Sequence, residues 1–364
     1  MTSSDHRRIL VTGAGGVAGV NFVRALRTST RHYSITGTEY NRYYIDLPDL
    51  DSRYHSPRHD DPDFVSRIIE VATEEHVDFI HPQPSSEAFA LASRRGELPA
   101  PVLLPSATVM EVAQDKLLTQ KSLQSSSVPV AKTRSLTDAA EVESAFNEIG
   151  PPVWVRARHG AGGRLSLLCE DAAQAELWLA LWAGRKVPLA EFILQEYLPG
   201  RNIAWDSVWL GGKLVTSYCR ERLEYPFKHV SPSGITGTPS VSRTVLDDRV
   251  NTVSERAVRA VAPGASGAFS IDIKEDQQGR PVVTEVDAGK MHTTMPLWGY
   301  IAVKHLKLPW YSNFADLYVR LGLGEEVPSE APSFDLIPAG YYMIRNMDSG
   351  VLLRREDGWK ERVL

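Results

Sequence analysis

In the first part of the chain, short apolar runs alternate with segments whose apolar positions recur at helical spacing. Residues 9–12 form an apolar run that enters a glycine turn, and residues 17–26 continue as an amphipathic helix. Residues 33–39 predict a second strand, 64–72 a helix and 78–82 a third strand. Strands alternating with helices specify a parallel sheet in an α/β domain. The proline-rich stretch 99–105 marks the exit from it. Residues 106–125 then predict one helix carrying Asp115 and Lys116. Residues 153–157 predict a strand running into the glycine loop 159–163, and 172–182 a helix. From Ile193 the texture changes to hairpins. Residues 203–209 and 213–222 flank Gly211 and Gly212, a pair suited to a tight turn, and residues 269–274 and 282–287 flank the turn 276–279. The tail beyond Pro328 predicts one more strand pair around residues 348–350.

At 364 residues the chain exceeds one ordinary core, which gives an expectation of about two to three domains. A formal net charge of −5 offers no general attraction to nucleic acid or to an anionic membrane. Cys169 and Cys219 are too few for a disulfide framework or a cysteine metal site. The polar opening 2–5, with Arg7 and Arg8 before an apolar stretch broken by Gly13, Gly15 and Gly16, is neither a signal peptide nor a spanning helix. A cytoplasmic protein is expected.

The densest chemistry lies in residues 269–290. Side chains alternate along a strand, so Glu285 and Asp287 point to one side. If the two runs pair across the turn, Asp272 falls opposite Glu285 and three carboxylates share a face, with Ile271 and Ile273 on the core side. Like charges across strands are destabilising. Such a face calls for protons or for a hard cation such as magnesium, whereas spacing alone fits equally a hairpin whose charges point into water. Gly289 and Lys290 follow at once, adding flexible backbone and a cation.

This segment resembles the signature of the ATP-grasp superfamily, in particular its carbamoyl-phosphate synthase and carboxylate–amine ligase branch. There, a carboxylate on one strand, Glu-x-Asn on the next and a basic residue hold two magnesium ions and the triphosphate. The matching positions are Asp272, Glu285, Asp287 (where Asn is usual) and Lys290 (where Arg is usual). Other motifs follow in the family's order. Lys116 resembles its first phosphate-contacting lysine. Arg156 stands where lysine is usual, and Gly160, Gly162 and Gly163 match the flap that closes over phosphates. Gln195, Glu196 and Leu198 match the adenine-contacting segment, with Gln195 toward the exocyclic amine. Asn202 stands in place of the ribose-binding glutamate. Arg220 and Arg222 resemble arginines near acceptor and phosphate.

The resemblance implies an α/β and α+β chain. Its parts are a Rossmann-like pre-ATP-grasp domain (1–105), a small subdomain with the flap (106–192), a subdomain with the metal site (193–327) and a strand-rich tail (328–364). It implies a ligase using ATP and Mg2+, with two ions and Mn2+ as a substitute, that joins a small-molecule carboxylate to an amine or similar nucleophile through an acyl phosphate, with carbamate or carboxyphosphate chemistry as the alternative within the family. Neither nucleic acid nor membrane is an expected partner, and a homodimer is compatible with it. His229 and His292 receive no role.

One rival reading comes from residues 12–19, TGAGGVAG, followed by Glu39 at the end of the second strand. This pattern also fits an NAD(P)-dependent short-chain reductase or epimerase. No Tyr-x-x-x-Lys pair stands in a suitable place, and the later chain does not continue as βαβ repeats.

Overall fold

A computed structural model describes residues 6–160, 162–347 and 350–364. The polar opening 2–5, Ala161 of the glycine loop and Asp348 of the expected last turn lie outside the described residues. The first unit runs β1 (His6–Thr12), α1 (Val17–Leu26), β2 (His32–Glu39), β3 (Ser52–His55), α2 (Phe64–Glu74), β4 (Phe79–Pro82) and α3 (Ser85–Ser93). Its parallel sheet has the order β3-β2-β1-β4. β3, Ser-Arg-Tyr-His, is a strand that sequence reading misses, because it lacks an apolar run.

The glycine turn after β1 is closed by its own neighbours. Gly13 sits at φ +58°, and a Cβ on Gly15 would lie 2.4 Å from the Tyr44 carbonyl oxygen. The Glu39 carboxylate accepts from the amides of Gly15 at 3.0 Å and Asn41 at 3.1 Å. The acidic group that would hold a ribose in the dinucleotide reading thus caps its own turn, and the backbone of Tyr44 lies over the glycines.

The second unit corrects the single helix expected over 106–125. The structure has α4 (Ala107–Gln114) and α5 (Lys116–Ser125), separated by Asp115. Asp115 is extended, with φ −106° and ψ 107°, and its side chain accepts from the amides of Leu117 and Leu118. It therefore caps a new helix instead of continuing the old one. The unit goes on through β5 (Thr133–Ser135), α6 (Val142–Ile149), β6 (Val153–Ala157), β7 (Leu167–Cys169), α7 (Ala172–Gly184) and β8 (Phe192–Glu196). Its antiparallel sheet has the order β5-β8-β6-β7. Phe146, Val153, Val155 and Leu179 pack beneath it.

The remaining strands build one eight-stranded antiparallel sheet. They are β9 (Asn202–Leu210), β10 (Lys213–Glu224), β11 (Val241–Val245), β12 (Gly267–Glu275) and β13 (Pro281–Ala288), with α8 (Asp248–Val261) between β11 and β12. After α9 (Met295–Lys304) and α10 (Phe314–Gly322), the tail adds β14 (Tyr341–Asn346), β15 (Gly350–Arg355) and β16 (Lys360–Arg362) to the same sheet, in the order β13-β12-β9-β10-β11-β14-β15-β16. One face is apolar: Trp205, Trp209, Ile271, Ile273 and Val286 pack with Val250, Ala257 and Val258 of α8. On the other face, Val208, Tyr218 and Met343 join α9, α10 and the first unit in a second core. Toward β12 and β13 this second face turns polar. Among the described residues no helix is long and apolar enough to cross a membrane.

Candidate active site

Cross-strand partners share a face, so the ladders fix what stands beside what. Asp272 is opposite Glu285, and Ser270 is opposite both Asp287 and Asp206. Asp206 is opposite Tyr218, and Arg220 follows it two residues along β10 on the same side. One face thus runs from carboxylates on β13 and β12 to arginines on β10. The four-stranded sheet stands opposite it, and a cleft of about 450 Å3 opens between the two. Every site residue read from the sequence lines this cleft.

The carboxylate face is real, but basic side chains of the protein neutralise it. Glu285 accepts from Arg156 at 2.7 Å and lies 3.4 Å from the Lys116 ammonium. Arg222 grips both oxygens of Asp272, at 2.7 and 2.6 Å. Asp287 is 3.3 Å from Lys290 and 3.0 Å from His292 Nε2. Among the described residues no group of three or more His, Cys, Asp and Glu stands ready to hold a metal ion. The expectation that only an added cation or protons make this face tolerable is therefore corrected. The donor set still suits a hard divalent ion, being carboxylate oxygens. Each of the three carboxylates has a basic partner on both oxygens, so Asp272, Glu285 and Asp287 would each take such an ion in exchange for part of that pairing.

Electrostatics follow from these pairs. Burial would raise the Asp272 and Asp287 carboxyls, but Arg222 for the first, and Lys290 and His292 for the second, hold both below the usual carboxylate range. Burial lowers Lys116, with Glu285 pulling the other way. Its amine also donates to the Gly160 carbonyl at 2.6 Å, which ties α5 to the flap. For Lys290, burial is outweighed by Asp287 and Glu285, so the ammonium is raised. Arg220, 2% exposed, is lowered to about 9 by burial and by Arg222.

Arg220 pairs with Asp206, which is fully buried. Arg220 is therefore not an exposed strand charge, and Glu221, the next residue, faces away toward Arg243 at 2.7 Å. His292 links the two regions. Its Nδ1 lies 2.8 Å from Asp206 and 3.3 Å from an Arg220 amine, while Nε2 meets Asp287. With a proton, Nδ1 donates to Asp206; without one, it accepts from Arg220. Burial lowers the imidazole, partly offset by Asp287.

On the opposite wall, Gln195 donates to Gln120 Oε1 and Thr133 Oγ1, both at 2.9 Å, which leaves its own oxygen toward Arg156. Gln120 is itself fixed by donating to the Ala131 carbonyl. The Glu196 amide donates to the Lys132 carbonyl at 2.9 Å, so it is not free to read a ring edge. Leu198 packs with Ala131 and Val282 in a small apolar patch. Asn202 donates to Tyr225 at 3.1 Å. Gly160, Gly162 and Gly163 all have positive φ, and a Cβ on Gly163 would lie 2.8 Å from the Ile235 carbonyl. The flap therefore rests on the loop 228–240. His229 is exposed on that loop.

Gln120, Thr133, Asp206, Tyr225 and His292 escape sequence reading. Asp206 alone carries a signal, since an aspartate inside the apolar run Ile-Ala-Trp-Asp-Ser-Val-Trp must find a partner once buried.

Two antiparallel sheets closing on such a cleft behind a parallel N-terminal sheet form the ATP-grasp fold, which the chain shares with solved structures. No protein-family profile matches it. It is similar to the carbamoyl phosphate synthase large chain of Methanoculleus marisnigri, 30% identical over 162 residues, which is 42% of this chain and 15% of that one. It is also similar to the D-alanine–D-alanine ligase of Gloeobacter violaceus, 25% identical over 190 residues, 50% of this chain and 60% of that one. The chain thus spans less than two thirds of either relative. The biotin carboxylase domain of Hydrogenobacter thermophilus 2-oxoglutarate carboxylase, a dimer crystallised with MgADP, ADP and bicarbonate, matches with a TM-score of 0.69. Identity there is 16%, covering 96% of this chain and 74% of that one.

Proposed function

We propose that the protein is an ATP- and magnesium-dependent ligase that joins a carboxylate to an amine. The observation that carries this reading is the sheet face on which the Glu285–Asp287 carboxylates stand beside Arg220 and Arg222, opposite Lys116 and Arg156. Similarity to a D-alanine–D-alanine ligase supports the reaction class, and a neighbour crystallised with MgADP supports the nucleotide and the metal. We assign the parts of the chain as residues 1–105, 106–192, 193–327 and 328–364.

ATP would lie with its base between Leu198 and the Gln195 wall and its phosphates under the glycine flap. Magnesium would be held by Glu285 and Asp287, with Asp272 as a further oxygen donor, and when bound it would offset charge on the phosphates. Lys116, Arg156 and Lys290 stabilise charge on the transferring phosphoryl oxygens. Arg220 and Arg222, which line the cleft paired with Asp206 and Asp272, would orient the substrate carboxylate by charge and by whatever N–H groups those partners release. A carboxylate oxygen attacks the γ-phosphorus, ADP leaves, and an acyl phosphate results. The amine then attacks the carbonyl carbon, the C–N bond forms, phosphate departs, and the amine loses a proton. The flap, resting on the loop 228–240, keeps water from the acyl phosphate.

The test is phosphate release from ATP and magnesium over a panel of carboxylates, with and without amines, next to thermal melting with each nucleotide. Release that needs both a carboxylate and an amine, and a melting temperature raised by MgATP and not by NAD(P), is the expected result. Stabilisation by NAD(P) alone would overturn the reading and restore the oxidoreductase.

A further inference from the structure

Three polar residues stand in one row across the sheet. Ser270 of β12 is opposite Asp287 of β13 on one side and Asp206 of β9 on the other. His292 reaches both ends of that row, with Nδ1 2.8 Å from Asp206 and Nε2 3.0 Å from Asp287. Its ring therefore lies across Ser270, whose fully buried hydroxyl has no hydrogen-bond partner. The residues on either side of His292 are anchored from the first unit. Gln83 donates to the Met291 carbonyl at 2.8 Å, and Asn21 to the Thr293 carbonyl at 2.9 Å. His292 itself lines the cleft.

The two ring nitrogens have different surroundings. Nδ1 faces a carboxylate that is fully buried and already paired with Arg220. Nε2 faces Asp287, with an oxygen of Asp272 at 3.8 Å, and both of these carboxylates line the cleft. An imidazole that gives one N–H to a carboxylate and turns its other nitrogen toward oxygen ligands has the arrangement of a metal-binding histidine. The rear carboxylate fixes its tautomer and its orientation. Adjacent ligands on an ion with bonds of about 2.1 Å stand about 3.0 Å apart, and the Nε2–Asp287 pair has that spacing. A nitrogen lone pair facing a carboxylate oxygen needs a positive centre between them, either a proton or a metal ion. Lys290 already serves Asp287 as a counter-ion, so neutralising that carboxylate does not by itself call for His292.

We propose that His292 is a nitrogen ligand, through Nε2, to a divalent ion held at Asp287, with Asp206 as the residue that positions its ring. The inference rests on the ligase reading for the nucleotide at this ion, but not for the ion itself. Imidazole suits the later first-row ions, whereas Mg2+ prefers oxygen. His292 therefore shifts the preference of the site from Mg2+ toward ions such as Co2+.

The probe is Mn2+, alone and with ADP, read by pulsed EPR for coupling to an imidazole nitrogen in wild type, His292→Gln and Asp206→Asn. Wild type should show the coupling, and His292→Gln should lose it while still binding the ion. In calorimetric titrations His292→Gln should weaken Co2+ about tenfold or more and Mg2+ by no more than about threefold, because glutamine offers an oxygen in place of the nitrogen. Asp206→Asn should keep the coupling and weaken Co2+ about tenfold, the scale for a residue behind a ligand; unchanged Co2+ affinity would remove Asp206 from that role. The wild-type spectrum needs no variant to be read. Bound Mn2+ without nitrogen coupling in wild type, coupling that persists in His292→Gln, or no Mn2+ binding with or without ADP would overturn the ligand. Coupling with Mn2+ alone, together with no binding of ADP, would sink the ligase reading and keep His292 at the ion.

Discussion

Glu285→Gln preserves shape and removes one charge, and its effect should reach stability as well as turnover. Glu285 is largely buried, with its side chain 15% exposed, and it neutralises Arg156 at 2.7 Å and Lys116 at 3.4 Å, the latter only 5% exposed. At an effective dielectric of about 20, these contacts amount to about 6 and about 5 kcal/mol of gross attraction. Desolvation of three charges cancels most of that, and breaking a buried pair costs about 3–5 kcal/mol net. Glutamine keeps an acceptor for Arg156, and the cleft admits water, so a loss of about 2–3 kcal/mol is expected. Urea unfolding without nucleotide should show it, and phosphate release at saturating magnesium should fall by about 100-fold or more, the scale of losing one charge-stabilising group. Wild-type unfolding and wild-type turnover together would refute the reasoning. Lost turnover with unchanged unfolding would show that Lys116 and Arg156 are solvated without Glu285.

Arg220→Ala strands Asp206 in the interior and should cost about 3–5 kcal/mol. Adding Asp206→Ala should recover most of it in urea unfolding, and a double variant no more stable than the single one would deny the pairing. In turnover, Arg220→Ala should raise KM for the carboxylate more than for ATP; the reverse would move Arg220 to the nucleotide. Burial lowers His81 to about 3, against an unfolded value of about 6.5. The unfolded chain therefore takes the proton first, and stability present above about pH 6.5 is lost as pH falls toward 3, by about 2 kcal/mol at pH 5. His81→Phe, which keeps a ring against Phe22, should flatten the stability profile between pH 7 and 5 by that amount, and an unchanged slope would show that His81 takes up its proton in the folded state. Gly163→Ala, at φ +72° and against the Ile235 carbonyl, should raise KM for ATP by lifting the flap, and an unaltered KM would remove the flap from nucleotide binding.

What could be read from the chain was local. The strand and helix of β1 and α1, the two hairpins, and the register that sets Asp272 against Glu285 follow from alternation and turn residues, and the coordinates agree. The break at Asp115 was not legible, because a capping aspartate and a surface aspartate look alike until the preceding helix is seen to stop. Nor was the neutralisation of the carboxylate face. Arg156 reaches Glu285 across 129 residues of sequence, and no spacing rule encodes a contact between two sheets. His292 was passed over for the same reason: its meaning lies in Asp206, on a strand of the preceding hairpin.

The glycine turn that begins the chain has a consequence for redesign. The Pro84 ring covers Gly13, but what covers Gly15 is main chain, the carbonyl of Tyr44, so trimming side chains alone cannot reopen the turn. Giving this scaffold a nicotinamide coenzyme would require cutting back the connection between β2 and β3, and freeing Glu39 from the amides it caps. The aromatic rings of Tyr40, Tyr43 and Tyr44 point outward and are free to drift in identity while the peptide beneath them holds its place.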